Sequence, residues 1–331
     1  MKILVIRFSS IGDIVLTTPV IRCLKRKFPD ARIDFLVKSQ YRQLISSNPN
    51  IDHIIEFQGN ISSLIRLLRK ENYHFIIDLH KNIRSTLIRF LLLKPWVTFS
   101  KLNFRKWLMV SFKINLLPQK HLVQRYFEAV KQIGVENDFL ACDFYFDQDP
   151  EMIVNQLLSD KITGEYYVIV LSGTYFTKRL PVEKISGIVS LLELPVILLG
   201  GKNEEEMASQ LKSAHENKVI DFCGKTDIQQ SAAIIRKAKA VLSGDTGMMH
   251  IAAALGKKVI SVWGNTIPEF GMFPYYGGEN PWELRQNIFE VKGLSCRPCS
   301  KLGKNTCPKK HFRCMNDLDT TEMAITMKNL N

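Results

Sequence analysis

Apolar residues along this chain fall into short unbroken runs separated by longer amphipathic stretches. Runs at 3–8, 33–37, 75–79, 167–172, 196–199, 218–222, 240–242 and 259–262 read as strands. The intervening stretches 14–27, 182–192, 204–215, 228–237 and 248–255 repeat apolar positions at helical spacing. Continuous Val/Ile/Leu strands placed between helices predict parallel sheets covered on both faces. The pattern starts at residue 2 and again near 166, and the polar segment 147–165 is long enough to contain a linker. Residues 318–330 read as a final helix capped near Asp319 or Thr320. The expected architecture is therefore two doubly wound α/β domains. No short-period repeat or low-complexity tract interrupts it.

Composition agrees with this. The chain has 331 residues, 46% hydrophobic and 23% charged, which excludes disordered, collagen-like and coiled-coil chains. The apolar stretch 87–93 contains Arg89 and stops at Lys94, far short of the ~20 residues of a membrane span. Arg7 and Asp13 interrupt any signal-peptide core. A cytoplasmic protein is expected, with its seven cysteines as thiols or metal ligands rather than disulfides. Net charge is +13, and it is uneven. Residues 60–113 hold 11 basic side chains and only two acidic ones, Glu71 and Asp78. Such a patch suits an anionic partner.

Polar turns follow two of the predicted strands and open helices, at 11–13 and 244–247. Open α/β sheets bind ligands at the carboxyl ends of their strands. In RFSSIGDIVLTTPVI, residues 7–21, Asp13 reads either as a helix N-cap or as a carboxylate that accepts a proton from a hydroxyl. Gly12 would admit a ligand close to the backbone. In LSGTYFTKRLP, residues 171–181, Lys178 and Arg179 stand where a phosphate meets a helix N-terminus, or else they are solvated loop cations. Glu204, after Gly200-Gly201, either accepts ribose hydroxyls or favours the helix dipole. In the stretch 242–264, the N–H groups of Thr246, Gly247 and Met248 suit a phosphate. Asp245 suits sugar hydroxyls. His250 is a second phosphate contact or a core-edge histidine. Neither G-x-G-x-x-G nor a full G-x-x-x-x-G-K-[ST] loop is present.

Residues 94–113, KPWVTFSKLNFRKWLMVSFK, interleave Trp96, Phe99, Phe104, Trp107 and Phe112 with five cations. With Lys81, Arg84 and Arg89 they would grip an anionic lipid headgroup, or else they are core aromatics beside solvated lysines. The tail spacing C-x2-C-x7-C-x6-C, at Cys296, Cys299, Cys307 and Cys314 with His311 nearby, suits either a structural zinc or thiols packing the tail. Cys23, Cys142 and Cys223 read as small core residues.

The opening motif and SGDTGMMHIAAALGKKVISVWG resemble the ADP-heptose–lipopolysaccharide heptosyltransferases. So do DLHKNIRS at 78–85, the TKRLP loop, the GGKNEEE turn and the Cys-rich tail. The resemblance implies a GT-B fold, with two Rossmann-like doubly wound domains facing a central cleft. An acceptor-binding domain would cover 1–155 and a nucleotide-sugar-binding domain with the Cys-rich tail 166–315. The helix within 318–331 would pack back on the N-terminal domain. It further implies inverting transfer of heptose from ADP-heptose to the inner core of lipopolysaccharide. Asp13 would be the catalytic base and Lys178 the catalytic phosphate ligand. Thr174, Glu204, Asp245, Thr246, Gly247 and His250 would complete the donor site, and Ser10, Gly12, Lys81 and Arg84 the acceptor site. No cofactor is implied, and the enzyme would work at the inner face of the cytoplasmic membrane on an anionic glycolipid. Ser172-Gly173-Thr174 replaces a Thr pair of some members, and Leu180 a Trp. The alternatives are transfer from another nucleotide sugar, a sugar-nucleotide epimerase, a nicotinamide oxidoreductase, and a nucleic-acid-binding protein. The absent glycine fingerprint weighs against the oxidoreductase. The absence of any RNP, KH or zinc-finger pattern weighs against nucleic acid.

Overall fold

The computed structural model describes residues 1–330 except 160, 163 and 284. The strands are β1 (Lys2–Ile6), β2 (Arg32–Lys38), β3 (His53–Phe57), β4 (Phe75–Asp78), β5 (Trp96–Thr98), β6 (Tyr167–Val170), β7 (Val196–Leu199), β8 (Val219–Asp221), β9 (Val241–Gly244), β10 (Val259–Trp263) and β11 (Ile288–Glu290). The helices of the first half are α1 (Ile11–Val15), α2 (Thr18–Lys27), α3 (Ile61–Glu71), α4 (Ile83–Leu92), α5 (Asn103–Phe112) and α6 (Leu122–Val130). Those of the second half are α7 (Pro150–Leu158), α8 (Val182–Leu191), α9 (Glu205–Ala214), α10 (Ile228–Lys237), α11 (Gly247–Ala254), α12 (Arg313–Asn316) and α13 (Thr320–Asn329).

The chain divides into two compact units. The first comprises 1–101, 120–147 and 277–279, and the second 102–119, 148–276 and 280–331. In the first unit five parallel strands take the order β3-β2-β1-β4-β5. In the second, six parallel strands take the order β11-β10-β9-β6-β7-β8. Each order runs outward from a first strand in one direction and then restarts on its other side. The switch falls between β1 and β4 in the first unit and between β6 and β9 in the second. Loops leaving such strand pairs diverge and open a crevice. Both sheets are built of buried aliphatics; β6, β7 and β10 have no exposed residue, as expected for sheets covered on both faces.

Three expectations about organisation are corrected. The segment 102–119 and α7 belong to the second unit, so the boundary falls at 147/148 rather than near 155. Helix α7 packs on α10. The last helix lies on the second unit, not the first. Met323, Ala324 and Met327 of α13 are buried in one cluster with Ile185, Ile188 and Val189 of α8. The apolar face of α13 finds its partner nearby in its own unit. The predicted helix 14–27 is two helices. Pro19 sits in the first turn of α2, and Thr17 caps it, so the backbone breaks before the proline.

Candidate active site

At the first switch point, β1 pairs with β4 and Ile6 lies opposite Asp78. The chain leaves β1 through Arg7 and enters α1 at Ile11. Asp13 is the third residue of α1, and the N-cap is Ser10. Asp13 is therefore not the cap. Its carboxylate accepts the Ser10 hydroxyl at 2.8 Å and the Ser10 N–H at 3.3 Å. It also forms an ion pair with the Arg7 guanidinium. Arg7 is 5% exposed and donates to the Ser9 carbonyl at 2.8 Å and to the Leu79 carbonyl beyond β4. Burial alone would lower the Arg7 pKa, but the charge of Asp13 overrides it and the value rises.

The β4 loop lies beside this pair. Asp78 accepts the N–H groups of His80 at 2.9 Å and Lys81 at 2.7 Å, and pairs with Arg89 at 3.1 Å. The His80 ring meets Phe8 edge-on at 5.3 Å. Burial, with the charges of Arg7 and Lys101, pushes its pKa down to about 3, so the imidazole is neutral at physiological pH. Lys81 donates to the Phe99 carbonyl at 2.9 Å, and Arg84 lies over the Phe57 ring at 5.9 Å. Ser10, Lys81 and Arg84 are exposed, whereas Gly12 is buried under its own helix.

At the second switch point, the β6–α8 loop meets the β9–α11 turn. A Cβ on Gly244 would stand 2.5 Å from the Lys178 carbonyl, so the two loops touch only because that residue is glycine. Lys178 Nζ is 2.6 Å from an Asp245 carboxylate oxygen. Thr266 donates to the same oxygen at 2.9 Å. Thr246, in extended conformation, is the N-cap of α11, and the first N–H groups of a helix lack an intrahelical acceptor. Thr246 shares a hydrogen bond with Ser243 at 3.1 Å. His250 lies one turn in and is buried. Glu204 is also buried, which the ribose reading does not anticipate. It ion-pairs with Arg179 at 2.7 Å and accepts the Gly201 N–H at 2.9 Å. Thr174 is exposed. The switch points thus collect Ser10, Asp13, Lys81 and Arg84 in one unit, and Lys178, Glu204, Asp245, Thr246, Gly247 and His250 in the other.

Several residues escape the sequence reading. Arg7 had a signal, a cation at the end of an apolar strand, which must be paired when buried. Thr177 and Arg297 had none. The Thr177 hydroxyl donates to the Lys304 carbonyl at 3.0 Å and accepts the Lys304 N–H at 2.8 Å. Arg297 donates to the carbonyls of Gly264, Val291 and Thr266, and pairs with Glu290 at 2.8 Å. Together they tie the Cys-rich tail to the β6–α8 loop and to the stretch after β10.

The cysteine tail does not form a metal cage. Among the described residues no three His, Cys, Asp or Glu side chains converge on a possible metal position. Cys314 instead joins the apolar core beside Met315, and burial pushes its thiol up to about 12. Cys296 meets His311 at 3.8 Å. Cys23, Cys142 and Cys223 are buried free thiols. Two Asp-x-Asp sequences, 147–149 and 317–319, serve as local braces. Asp149 caps α7, Asp319 caps α13, Asp147 accepts the Ser46 hydroxyl and Asp317 pairs with Arg313.

The aromatic patch splits. Phe99 is core, edge-on to Tyr126 at 4.8 Å, and Arg89 is buried. Helix α5, in contrast, has no buried residue. Phe104, Trp107 and Phe112 contact one another on its surface. Lys113 anchors its end to the Pro298 carbonyl at 2.7 Å.

Two doubly wound units with ligand loops at their switch points are the GT-B architecture of glycosyltransferases. A family model described as glycosyltransferase family 9 (heptosyltransferase) matches residues 61–310, and the chain belongs to this family. Among its relatives, lipopolysaccharide heptosyltransferase 3 of Escherichia coli K12 is 26% identical over 275 residues, 77% of this chain and 80% of the relative. Lipooligosaccharide heptosyltransferase 2 of Campylobacter jejuni is 25% identical over 342 aligned positions, 100% of this chain and 98% of the relative. A family 9 glycosyl transferase structure from Veillonella parvula superposes with a TM-score of 0.76 at 20% identity, covering 99% of this chain and 96% of that one. An E. coli heptosyltransferase solved with ADP superposes with a TM-score of 0.67 at 22% identity, covering both chains fully.

Proposed function

We propose that this enzyme transfers heptose from ADP-heptose to the inner core of lipopolysaccharide with inversion at the anomeric carbon. The observation that carries the reading is the contact of Lys178 with Asp245 at the N-terminus of α11. One cation and one helix dipole face a position that a diphosphate would take, with a carboxylate at its rim. When the donor binds, its diphosphate draws Lys178 from Asp245, and the freed carboxylate accepts sugar hydroxyls. Thr246 and Gly247 add backbone N–H groups, and His250 supports the turn from within. Thr174 contributes a hydroxyl from the facing loop. Glu204, held by Arg179 and the Gly201 N–H, would meet ribose only through the acceptor capacity that these two bonds leave.

In the reaction the acceptor hydroxyl gives its proton to Asp13, and its oxygen attacks the anomeric carbon. The bond from that carbon to the diphosphate breaks, and its electron pair leaves with ADP. Charge separates in the oxocarbenium-like transition state, and Lys178 with the α11 N-terminus stabilises the departing diphosphate. Arg7 orients the Asp13 carboxylate. Ser10, Gly12, Lys81 and Arg84 take the acceptor side, where the cations meet the acidic groups of a glycolipid. No step calls for a metal. Transfer takes place at the inner face of the cytoplasmic membrane. The contact proposed is peripheral; among the described residues no helix is long and apolar enough to cross a membrane.

The test is a mass-spectrometric transfer assay on truncated lipopolysaccharide with ADP-heptose and a panel of other nucleotide sugars. One added heptose, seen with ADP-heptose and not with the others, is the expected result. Transfer of a different sugar in preference overturns the donor assignment.

A further inference from the structure

A helix on a protein surface normally turns an apolar stripe inward and charged residues outward. Helix α4 does not. Its inward face buries Ser85, Ile88, Arg89 and Leu92. Its outward face carries Ile83, Leu87 and Phe90, followed by Leu93, and these are 89%, 41%, 60% and 86% exposed. Arg84 is the only charge that α4 directs outward. Trp96 of β5, 42% exposed, extends the stripe and meets Phe90 edge-on at 6.5 Å. The stripe lies entirely within the first unit.

Cations flank it. Arg66, Arg69 and Lys70 are exposed on the neighbouring α3, and Arg69 donates to the Leu91 carbonyl at 3.0 Å. The segment 60–113 carries only two carboxylates, and both are engaged. Glu71 is engaged by Lys2 at 3.1 Å and Arg32 at 3.2 Å, and Asp78 is buried against Arg89. A second copy docked face to face would set these cations against their own equivalents. An anionic bilayer meets both needs. Its acyl region takes the apolar stripe, its headgroups take the guanidinium and ammonium groups, and Trp96 suits the boundary.

We propose that α4 is an in-plane anchor that seats the first unit on an anionic phospholipid surface. The proposal deepens the reading of an enzyme working on a membrane-borne acceptor, and it moves the principal contact from residues 103–113 to α4.

The experiment is vesicle sedimentation of the full chain with phosphatidylglycerol/phosphatidylethanolamine vesicles and with phosphatidylcholine vesicles. The wild type pellets with the anionic vesicles only. Leu87→Ser/Phe90→Ser weakens that binding by at least about tenfold, since two large side chains leave the acyl region. Its melting curve is unchanged, because both residues are exposed. Arg66→Gln/Arg69→Gln/Lys70→Gln also binds less, and its deficit closes as salt is raised. Equal binding by Leu87→Ser/Phe90→Ser and wild type overturns the proposal. So does a gel-filtration dimer that this variant dissociates while vesicles capture nothing. Transfer to a delipidated, water-soluble acceptor stays at the wild-type rate in the variant. If the wild type binds vesicles but transfers no heptose, the functional reading fails and the anchor stands.

Discussion

Lys178 and Asp245, 67 positions apart, meet at 2.6 Å where the β6 and β9 loops converge. The cation proposed here to meet a diphosphate is paired with a carboxylate. The two residues respond oppositely to mutation. Lys178→Ala weakens ADP more than adenosine, because its charge acts on the diphosphate. Asp245→Asn keeps the bond from Thr266, removes an anion near the phosphates and tightens ADP, while ADP-heptose loses affinity relative to ADP. Calorimetric titration of adenosine, ADP and ADP-heptose checks both. Equal losses for adenosine and ADP in Lys178→Ala would displace the lysine from the diphosphate.

Asp13→Asn removes the proton acceptor and lowers kcat by ~10²–10⁴, with ADP affinity unchanged. It also leaves the buried Arg7 without its counter-ion, at a cost of about 1–3 kcal/mol. Stopped assays and urea melts of the same preparation separate the two effects. Turnover near the wild-type value would sink the base assignment.

His80 supplies a pH test. Its folded pKa is about 3, against an ordinary 6.5 for histidine. As pH falls below 6.5 the unfolded chain takes up a proton that the folded chain refuses until about 3. The unfolded state binds more protons in that window, so stability declines across it. In His80→Gln the urea-derived stability between pH 6.5 and 4 has a shallower slope. An identical slope would mean that the imidazole is charged in the folded protein.

Helix α5 buries none of its residues. Trp107→Ala therefore leaves the unfolding free energy within about 0.5 kcal/mol of wild type, as read from urea melts. Neutralising Lys101, Arg105 and Lys106 raises the KM for the acceptor and not for the donor if this surface receives glycolipid. Steady-state kinetics with each substrate varied in turn decides it, and a shift in donor KM alone refutes it.

The sheets were legible because parallel strands buried on both faces are continuous aliphatic runs. Tyr167–Val170 and Val196–Leu199 announce themselves in that way. β5 and β11 did not, because neither is a buried aliphatic run: β5 opens on exposed Trp96, and no residue of β11 is buried. β3, at a sheet edge, has an exposed first residue and Glu56 inside it, which hides the pattern. At the site, Asp13, Lys178 and Asp245 were visible from the turns that hold them. The partner of Asp13 was not. Arg7 is close to Asp13 in sequence, but its hold on Leu79 spans 72 positions. The placement of α13 on α8 was hidden for a related reason. An apolar face says that a helix is covered, not by what.

Arg297 and Thr177 bear on how donor choice can be re-engineered. The β6–α8 loop is held by the backbone of residue 304, and the stretch after β10 by a guanidinium at 297. A loop graft that exchanges 171–181 alone between two relatives would carry its side chains into a frame cut for a different backbone. Heritable shifts in nucleotide-sugar preference should therefore arise in pairs, with changes in the loop accompanied by changes some 120 residues downstream. If the β6–α8 loop meets the donor as proposed, specificity in this scaffold is written in two distant places at once.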